Sequence, residues 1–380
     1  MFALALTVVL TPIGIRFGQA SGNINLLRAV ALLATLVNVF WVPAQFQVGR
    51  HVQNVVTFFL LGWLATFKTI GCAFGRGPLC SEQLTLLGTY ITYALPINPV
   101  MWEGTGIPQR KKKSTATYAW DAVRHLLVLV CGTSLSHRLQ WLPYGPTGAV
   151  HMLTSDLVDA INLYAFIAVI MNVASIATIQ AGERLLGFSE IMVHCDRPWL
   201  ATSFGEFWSR RWNVNTGHTL RYLIYDPICE GSMVNKYGST NGRRSERRRC
   251  SDARRAVALV SAFAMSGAVH ECFIYLLRGV QSGSGRWFLF FFLQAPMIMM
   301  VDPWLKRLRS RTGVWVPRAV TFGLQMLLAH TLFFMPVVEL GITDDIHGGV
   351  NHGIRMLLSE SLCAVLYPVQ TSSSGKTKTF

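Results

Sequence analysis

Long apolar runs are the feature that most constrains what this sequence can fold into. Stretches with almost no charge recur along the chain, and a helix of about 20 residues crosses the roughly 30 Å of hydrocarbon in a bilayer. A backbone in hydrocarbon must satisfy its own hydrogen bonds, so the runs form helices unless they close into a barrel. The sequence lacks the segments of about ten alternating apolar and polar residues that barrel strands need. We therefore predict an all-α, polytopic membrane protein.

The apolar runs predict about eight spans, give or take two. The predicted spans are residues 1–16, 24–46, 51–73, 119–137, 154–181, 253–277, 286–304 and 316–340. A stretch at 83–101 contains Pro96 and Pro99, which favour a broken or re-entrant helix. Residues 353–369 form a weaker candidate because Arg355 and Glu360 interrupt them.

The positive charge lies between the apolar runs. Only 14% of the residues are charged, against about 25% in soluble domains, and the net charge is +15. Basic clusters at 110–113, 243–255 and 306–311 are each separated by two spans, so all three can face the cytoplasm, as the positive-inside rule expects. This pattern disfavours nucleic-acid binding. We expect a multi-pass protein, of unassigned oligomeric state, in the endoplasmic reticulum, with a basic cytoplasmic loop at 238–255.

Residues 182–250 are too polar to span a membrane but are rich in aromatic residues. Within them, residues 203–215 read SFGEFWSRRWNVN. At helical spacing the aromatic residues and one arginine fall on one face, and Glu206 and Arg210 stand four apart on another. An aromatic, arginine-rich amphipathic helix is typical of a membrane interface. We predict such an interfacial helix here.

One apolar helix carries ionisable residues. Residues 261–277 read SAFAMSGAVHECFIYLL and place His270 and Glu271 inside a predicted span. His270 stands 15 residues from Arg255, or about 22 Å along a helix. Ionisable groups at such depth are costly and mark functional sites by default. His270 and Glu271 are therefore candidate functional residues.

Two interpretations of His270 stay open at this point. A neutral imidazole in a dry chamber is a suitable general base, but a histidine that hydrogen-bonds across helices, beside a glutamate paired with a buried arginine, fits the same pattern. Ser266 and Gly267 precede His270 by one helical turn, and small residues let a neighbouring helix or a substrate approach closely.

Two motifs resemble those of a known family. SFGEFWSRRWN at 203–213 and MSGAVHE at 265–271 resemble the membrane-bound O-acyltransferase superfamily, and more narrowly its wax-synthase-like branch. That branch includes fungal acetyltransferases of terpenoid and meroterpenoid pathways. The family pattern joins FW-x-R-R-W, followed by His or Asn, to a later Ser-Gly-x-x-His. The resemblance in layout covers roughly residues 110–340 and implies one acyltransferase domain over 1–380.

The resemblance implies roles for individual residues. His270 is expected to be the catalytic base, and Asn213 occupies the second polar position of the family. Asn213 cannot act as a base, so it is expected to position the thioester or orient His270, and His218 is the alternative second residue. The residues expected to bind substrate or coenzyme A are Trp208, Arg210, Arg211, Trp212, His218 and Glu271. We expect no bound cofactor or metal, because acyl-CoA, with acetyl-CoA preferred, is a co-substrate.

The implied reaction moves an acetyl group to a hydroxyl of a lipophilic secondary metabolite such as a terpenoid. A long-chain wax-ester synthase is the alternative within the same class. A proton-coupled transporter using His270 and Glu271 is the alternative of another class, although the sequence lacks the repeat expected of a transporter. A pseudo-enzyme scaffold also stays open. The H-x-x-x-x-D match at 151–156 lacks the later E-G-T-R element of glycerolipid acyltransferases.

Overall fold

The helical fold class predicted from the sequence is confirmed. A computed structural model describes residues 2–46, 54, 57–100, 113–139, 148–235, 250–278 and 285–339. Within these ranges the chain is helical, with short connections and one isolated β-bridge between Pro99 and Ile191. The predicted segment at 353–369 and most of the basic loop at 238–255 lie outside the described residues.

The described helices follow the apolar runs. They are α1 (Phe2–Ala20), α2 (Ile24–Ala44), α3 (Phe58–Ala73), α4 (Leu86–Ala94), α5 (Thr115–Leu139), α6 (Gly148–Leu186), α7 (Phe204–Glu206, continued by a π-turn at Phe207–Arg211), α8 (Val214–Leu220, continued to Glu230), α9 (Asp252–Arg278), α10 (Arg286–Thr312) and α11 (Trp315–Glu339). By length and composition, α2, α6, α9, α10 and α11 can each cross a membrane. Helices α1, α3 and α5 stand where the three other spans are predicted.

The predicted broken helix at 83–101 is a short helix followed by extended chain. After α4 ends, Val100 N–H donates to the Glu190 carbonyl at 2.9 Å, and Met192 N–H donates to the Asn98 carbonyl at 2.8 Å. The prolines therefore turn the chain away from helix and let it pair with residues 190–192. This pairing holds the segment that precedes α7.

A buried lysine closes the end of α4. Lys68 of α3 is 1% exposed, and its Nζ donates to the carbonyl oxygens of Thr92, Leu95 and Ile97 at 2.7, 2.8 and 2.9 Å. The last carbonyls of a helix lack intrahelical partners and favour a cation. Lys68 thus satisfies all three of its donors while fixing α4 to α3.

Helix α4 crosses the end of α6 at a glycine. A Cβ on Gly88 would lie 1.8 Å from the Leu186 carbonyl oxygen, so only glycine permits this approach. At the same crossing, Thr85 donates from its backbone N–H to Leu186 O at 3.3 Å and from its hydroxyl to Leu185 O at 2.6 Å. These bonds satisfy terminal carbonyls of α6.

Candidate active site

One cavity gathers most of the predicted site residues. Its volume is about 2820 Å³, and residues of α3, α5, α6, α9, α10 and α11 line it together with the segment from His194 to Asp226. The predicted site residues in its lining are Trp208, Arg210, Trp212, Asn213, His218 and His270. The other two, Arg211 and Glu271, have separate contacts described below.

The hydrogen bond of His270 defines which nitrogen can accept a proton. Its Nδ1 lies 2.7 Å from the carbonyl oxygen of Ser266, one turn earlier on α9. A carbonyl only accepts, so Nδ1 carries the proton of the neutral ring and Nε2 keeps its lone pair. His270 lines the cavity. The imidazole is therefore held in the tautomer that a general base at Nε2 requires.

Aromatic rings surround His270. Phe291 of α10 stacks on the imidazole with centroids 4.1 Å apart and planes inclined by 29°. The other rings are Phe59, Trp63, Trp287 and Phe333, at centroid distances of 5.6, 5.1, 5.8 and 6.5 Å. These apolar rings lower the local dielectric and restrict water near the base.

Trp63 brings a hydrogen-bond donor to this aromatic shell. The side chain is 3% exposed, lines the cavity, and its Nε1 has no hydrogen-bond partner among the described residues. A buried indole N–H usually finds a partner. Trp63 did not stand out in the sequence, because a tryptophan within the predicted span 51–73 is typical of a core residue.

Asp302 of α10 positions the start of the first motif. Its Oδ1 accepts from Phe204 N–H and its Oδ2 from Gly205 N–H, both at 2.8 Å. A carboxylate at the first N–H groups of a helix stabilises that end. Ser203 Oγ adds a cap by accepting from Glu206 N–H at 3.1 Å. The sequence prediction missed Asp302, although an acidic residue ahead of Pro303 inside an apolar span was a detectable signal.

The single amphipathic helix predicted over 203–215 is wrong, because a π-turn ends it at Arg211. Trp212 N–H donates to Phe207 O at 2.8 Å, a bond across five residues. In a π-turn, positions five apart lie over each other. Glu206 therefore pairs with Arg211, with Nη2 and Oε1 2.6 Å apart, and not with Arg210, which is exposed at the cavity.

The Arg211 guanidinium takes part in a hydrogen-bond network with Glu206 and its neighbours. Its Nη1 also donates to the Asp196 carbonyl at 3.2 Å, and Thr202 donates to Glu206 Oε2 from both its backbone N–H and its hydroxyl. Burial acts to raise the pKa of Glu206, but the bonds from Thr202 and Arg211 outweigh it and lower that pKa. Arg211 therefore stabilises the motif and is not among the residues that line the cavity, and its predicted contact with substrate or coenzyme A stays a prediction.

Asn213 takes a conformation that few residues tolerate. It is left-handed, with φ 45° and ψ 49°, and begins α8, with its Oδ1 accepting from Thr216 N–H at a long 3.4 Å. Asn is one of the few residues other than glycine that adopt the left-handed region. His218 lines the same cavity five residues later, with its ring 5.9 Å from Tyr222. Both remain candidates for the second functional position.

Trp208 connects the first motif with the second. Its Nε1 donates to Gln294 Oε1 at 2.8 Å, and Gln294 in turn donates to Phe290 O at 3.0 Å. The Trp208 ring lies 5.8 Å from Phe291, the ring that stacks on His270. The two motifs are therefore joined through α10.

Glu271 faces the start of α10. Its Oε1 accepts from Gly285 N–H at 2.8 Å and its Oε2 from Phe288 N–H at 3.2 Å. On the same helix, a Cβ on Gly267 would lie 2.7 Å from Phe288 O, which confirms the close helix approach predicted there. These contacts suit a positioning role for Glu271, and its predicted contact with substrate stays a prediction.

A second buried histidine supports the chain before α8. Asn215 Nδ2 lies 3.2 Å from His194 Nδ1 and 3.1 Å from Pro96 O, and Asn98 Nδ2 donates to Asn215 O at 3.2 Å. Burial lowers the pKa of His194 to about 4, so the ring is neutral near pH 7. Neither asparagine nor His194 stood out in the sequence.

Comparison with known proteins bears directly on this site. The model of the "Membrane bound O-acyl transferase family" matches residues 193–293, a stretch that contains both Asn213 and His270. A probable long-chain-alcohol O-fatty-acyltransferase of Arabidopsis thaliana is 26% identical over 336 residues, which are 86% of this chain and 85% of that protein.

Further relatives show the same breadth of similarity. The long-chain-alcohol O-fatty-acyltransferase of Simmondsia chinensis is 25% identical, covering 83% of each chain. An acyl-CoA–sterol O-acyltransferase of Arabidopsis thaliana is 24% identical, covering 83% of this chain and 81% of its own. Together with the family match, they confirm the class predicted from the sequence: the chain is an acyl-CoA-dependent O-acyltransferase, embedded in the membrane by multiple helices.

Proposed function

We propose that this enzyme acylates the hydroxyl of a lipophilic alcohol, with His270 as the general base. The observation that carries the proposal is the bond from His270 Nδ1 to Ser266 O, which leaves Nε2 as the proton acceptor in an aromatic cavity. The relatives named above act on long-chain alcohols and on sterols, which supports a lipophilic acceptor.

The proposed reaction is a direct transfer. Nε2 of His270 takes the proton of the acceptor hydroxyl while that oxygen attacks the thioester carbonyl carbon. The carbon–sulfur bond then breaks, an ester forms, and the imidazolium returns the proton to the departing thiolate of coenzyme A. Proximity in one cavity supplies much of the rate, and the surrounding rings limit hydrolysis of the thioester.

Trp63 is the proposed donor to the thioester carbonyl oxygen. Negative charge develops on that oxygen as the hydroxyl attacks, and a preorganised N–H in a low-dielectric site stabilises it. Trp63 Nε1 lacks a hydrogen-bond partner among the described residues, and its ring lies 5.1 Å from the imidazole of His270.

Cations on α10 and α7 are the proposed binding site for the phosphates of coenzyme A. Lys306 and Arg309 follow Asp302 at four and seven positions, and both line the cavity together with Arg210. Replacing Lys306 and Arg309 by glutamine is expected to raise KM for acyl-CoA about tenfold, by loss of charge-assisted bonds. The matched control is Arg311→Gln on the same helix, outside the cavity lining.

The identity of the acyl group is a narrower part of the proposal. The motif resemblance predicts acetyl-CoA and a terpenoid-like acceptor, whereas the named relatives favour a long-chain donor and a fatty alcohol, and so a wax-ester synthase is the second candidate. Membranes given acetyl-CoA and a long-chain acyl-CoA in competition, with one alcohol, separate the two by product mass. The endoplasmic reticulum is the proposed location.

His270→Ala tests the mechanism. Loss of a general base typically costs about 10²–10⁴-fold in rate, so ester formation by membranes containing this variant is expected to fall by at least 10²-fold. Cys272→Ala is the matched control, since Cys272 is an exposed residue of the same helix outside the cavity lining. Activity within tenfold of the original in correctly inserted His270→Ala protein would rule out the proposed base.

A further inference from the structure

The cavity has a second polar region, on the wall formed by α5, α6 and α11. Asn162 and Gln325 line it and are 7% and 5% exposed. Among the described residues, neither Oδ1 nor Nδ2 of Asn162, nor Oε1 of Gln325, has a hydrogen-bond partner. Unpaired polar groups are costly inside a membrane helix and are functional candidates by default.

The packing of α6 on α11 shows how the two amides are placed. Asp156, near the start of α6, pairs with His330 near the end of α11. Farther along α6, the ring of Tyr164 contacts that of Trp199, with centroids 5.3 Å apart. The carbonyl of Leu200, which follows Trp199, accepts from Arg318 Nε near the start of α11 at 3.2 Å. The two helices therefore run antiparallel.

Antiparallel packing puts the two amides at a similar depth. Asn162 lies six residues beyond Asp156 and Gln325 lies five residues before His330, which are displacements of about 9 and 7.5 Å in the same direction. Phe333, whose ring is 6.5 Å from that of His270, lies eight residues beyond Gln325, or about 12 Å along the helix. The amides are thus about 12 Å, measured along α11, from the level of Phe333, the residue of this helix that lies beside the base.

The neighbouring polar groups fit an oxygen-bearing ligand. Asp159 and Thr133 also line the cavity, and Ser136 Oγ donates to Asp159 Oδ1 at 2.9 Å. A saturated alkyl chain cannot hydrogen-bond to these polar side chains, whereas a hydroxyl can donate and accept and a carbonyl can accept. Asp159 is acidic, unlike the cations on α10, so this wall is better suited to a neutral acceptor than to the anionic donor.

We propose that the acceptor alcohol carries a second oxygen function, a hydroxyl or a carbonyl, about 12 Å from the hydroxyl that is acylated. Gln325 and Asn162 bind that group and select the acceptor. The inference rests on the proposed function and narrows its substrate class: a plain fatty alcohol is acylated less efficiently than a bifunctional lipid of matching length.

A competition assay tests the inference. Membranes receive one acyl-CoA and an equimolar mixture of nonanol and nonanediol, the diol bearing a hydroxyl at each end of the same chain. The product ratio equals the ratio of kcat/KM values and does not depend on the amount of folded enzyme. After correction for its two equivalent hydroxyls, the diol is expected to be favoured at least about tenfold, since a site built for a hydroxyl discriminates against the analogue without it.

Gln325→Met and Asn162→Leu remove the polar atoms with little change of volume, and each is expected to bring the corrected ratio towards one. Thr321→Val is the matched control: Thr321 is fully buried on the same helix as Gln325, but outside the cavity lining, so its variant keeps the original ratio. An unchanged ratio in both amide variants, or a corrected ratio of one in the original protein, overturns the inference. So does a raised KM for acyl-CoA with an unchanged ratio, which assigns the amides to the donor. Absence of ester from either alcohol overturns the proposed function itself.

Discussion

Replacing Glu271 by glutamine tests whether this residue positions α10 or binds substrate. The carboxylate is 6% exposed and accepts two backbone N–H groups, from Gly285 at 2.8 Å and from Phe288 at 3.2 Å. Glutamine keeps one acceptor oxygen but turns its NH2 towards the other N–H. A hydrogen bond to a charged group contributes about 1.5–3 kcal/mol, and the loss of a negative charge at a helix N-terminus adds roughly 0.3–1 kcal/mol.

The two effects together predict a loss of about 2–4 kcal/mol in the free energy of unfolding. At roughly 2 °C per kcal/mol for a chain above 250 residues, the apparent Tm in detergent is expected to fall by about 4–8 °C. Because α10 carries Phe291, which stacks on His270, kcat is expected to fall, but less than about tenfold. KM for acyl-CoA is expected to stay unchanged.

Glu339→Gln is the matched control for this assay. Glu339 pairs with Arg286, also near the start of α10, but the two side chains are 47% and 35% exposed. An exposed ion pair contributes about 0–1 kcal/mol, so the Tm of this variant should change little. The reasoning would be refuted by a Glu271→Gln protein that melts like the original and has a tenfold higher KM for acyl-CoA, the behaviour of a substrate-binding residue.

Three further outcomes are expected. Trp63→Phe should lower kcat by about 10²–10³-fold if its N–H stabilises the oxyanion; an unchanged kcat at saturation contradicts that role. Asn213→Ala should lower the Tm, because alanine in the left-handed region costs roughly 1–2 kcal/mol, and Asn213→Gly should restore it; if the glycine variant is fully active while His218→Ala is inactive, the second functional residue is His218. Burial lowers the pKa of His194 to about 4, so this side chain binds its proton more weakly in the folded protein than in the unfolded chain. The free energy of unfolding should therefore decline as pH falls from about 6.5 towards 4, by about 3 kcal/mol in all. A His194→Asn variant should lose that part of the pH dependence, and an identical dependence of Tm on pH in both proteins would contradict it.

The helices were predictable from the sequence because run length alone defines them. The predicted spans at 253–277 and 286–304 lie within α9 and α10, and the described part of the span at 316–340 lies within α11. The position of His270 was equally predictable, because an ionisable residue inside an apolar helix is conspicuous. Helical periodicity predicted the wrong partner for Glu206, because a π-turn shifts that partner from Arg210 to Arg211. The amino-acid composition does not reveal such a turn.

The aromatic shell around His270 was not predictable, for a different reason. Phe59 and Trp63 come from α3 and Phe333 from α11, helices far apart in the chain, and in the sequence each is one apolar residue among many. Asp302 itself was detectable as an acidic residue in an apolar span, but its contact with α7 was not, since only the fold brings α10 to that helix start. Tertiary contacts of this kind need the packing arrangement, which local patterns do not contain.

The buried ammonium of Lys68 constrains how the chain is inserted during synthesis. The carbonyls of Thr92 and Ile97 that Lys68 binds lie 24 and 29 residues further along the chain, and a lone ammonium in hydrocarbon is strongly disfavoured. Helix α3 alone is therefore expected to insert poorly unless α4 is present to bind the ammonium. A released chain that ends before Thr92 is therefore expected to leave α3 at the membrane surface.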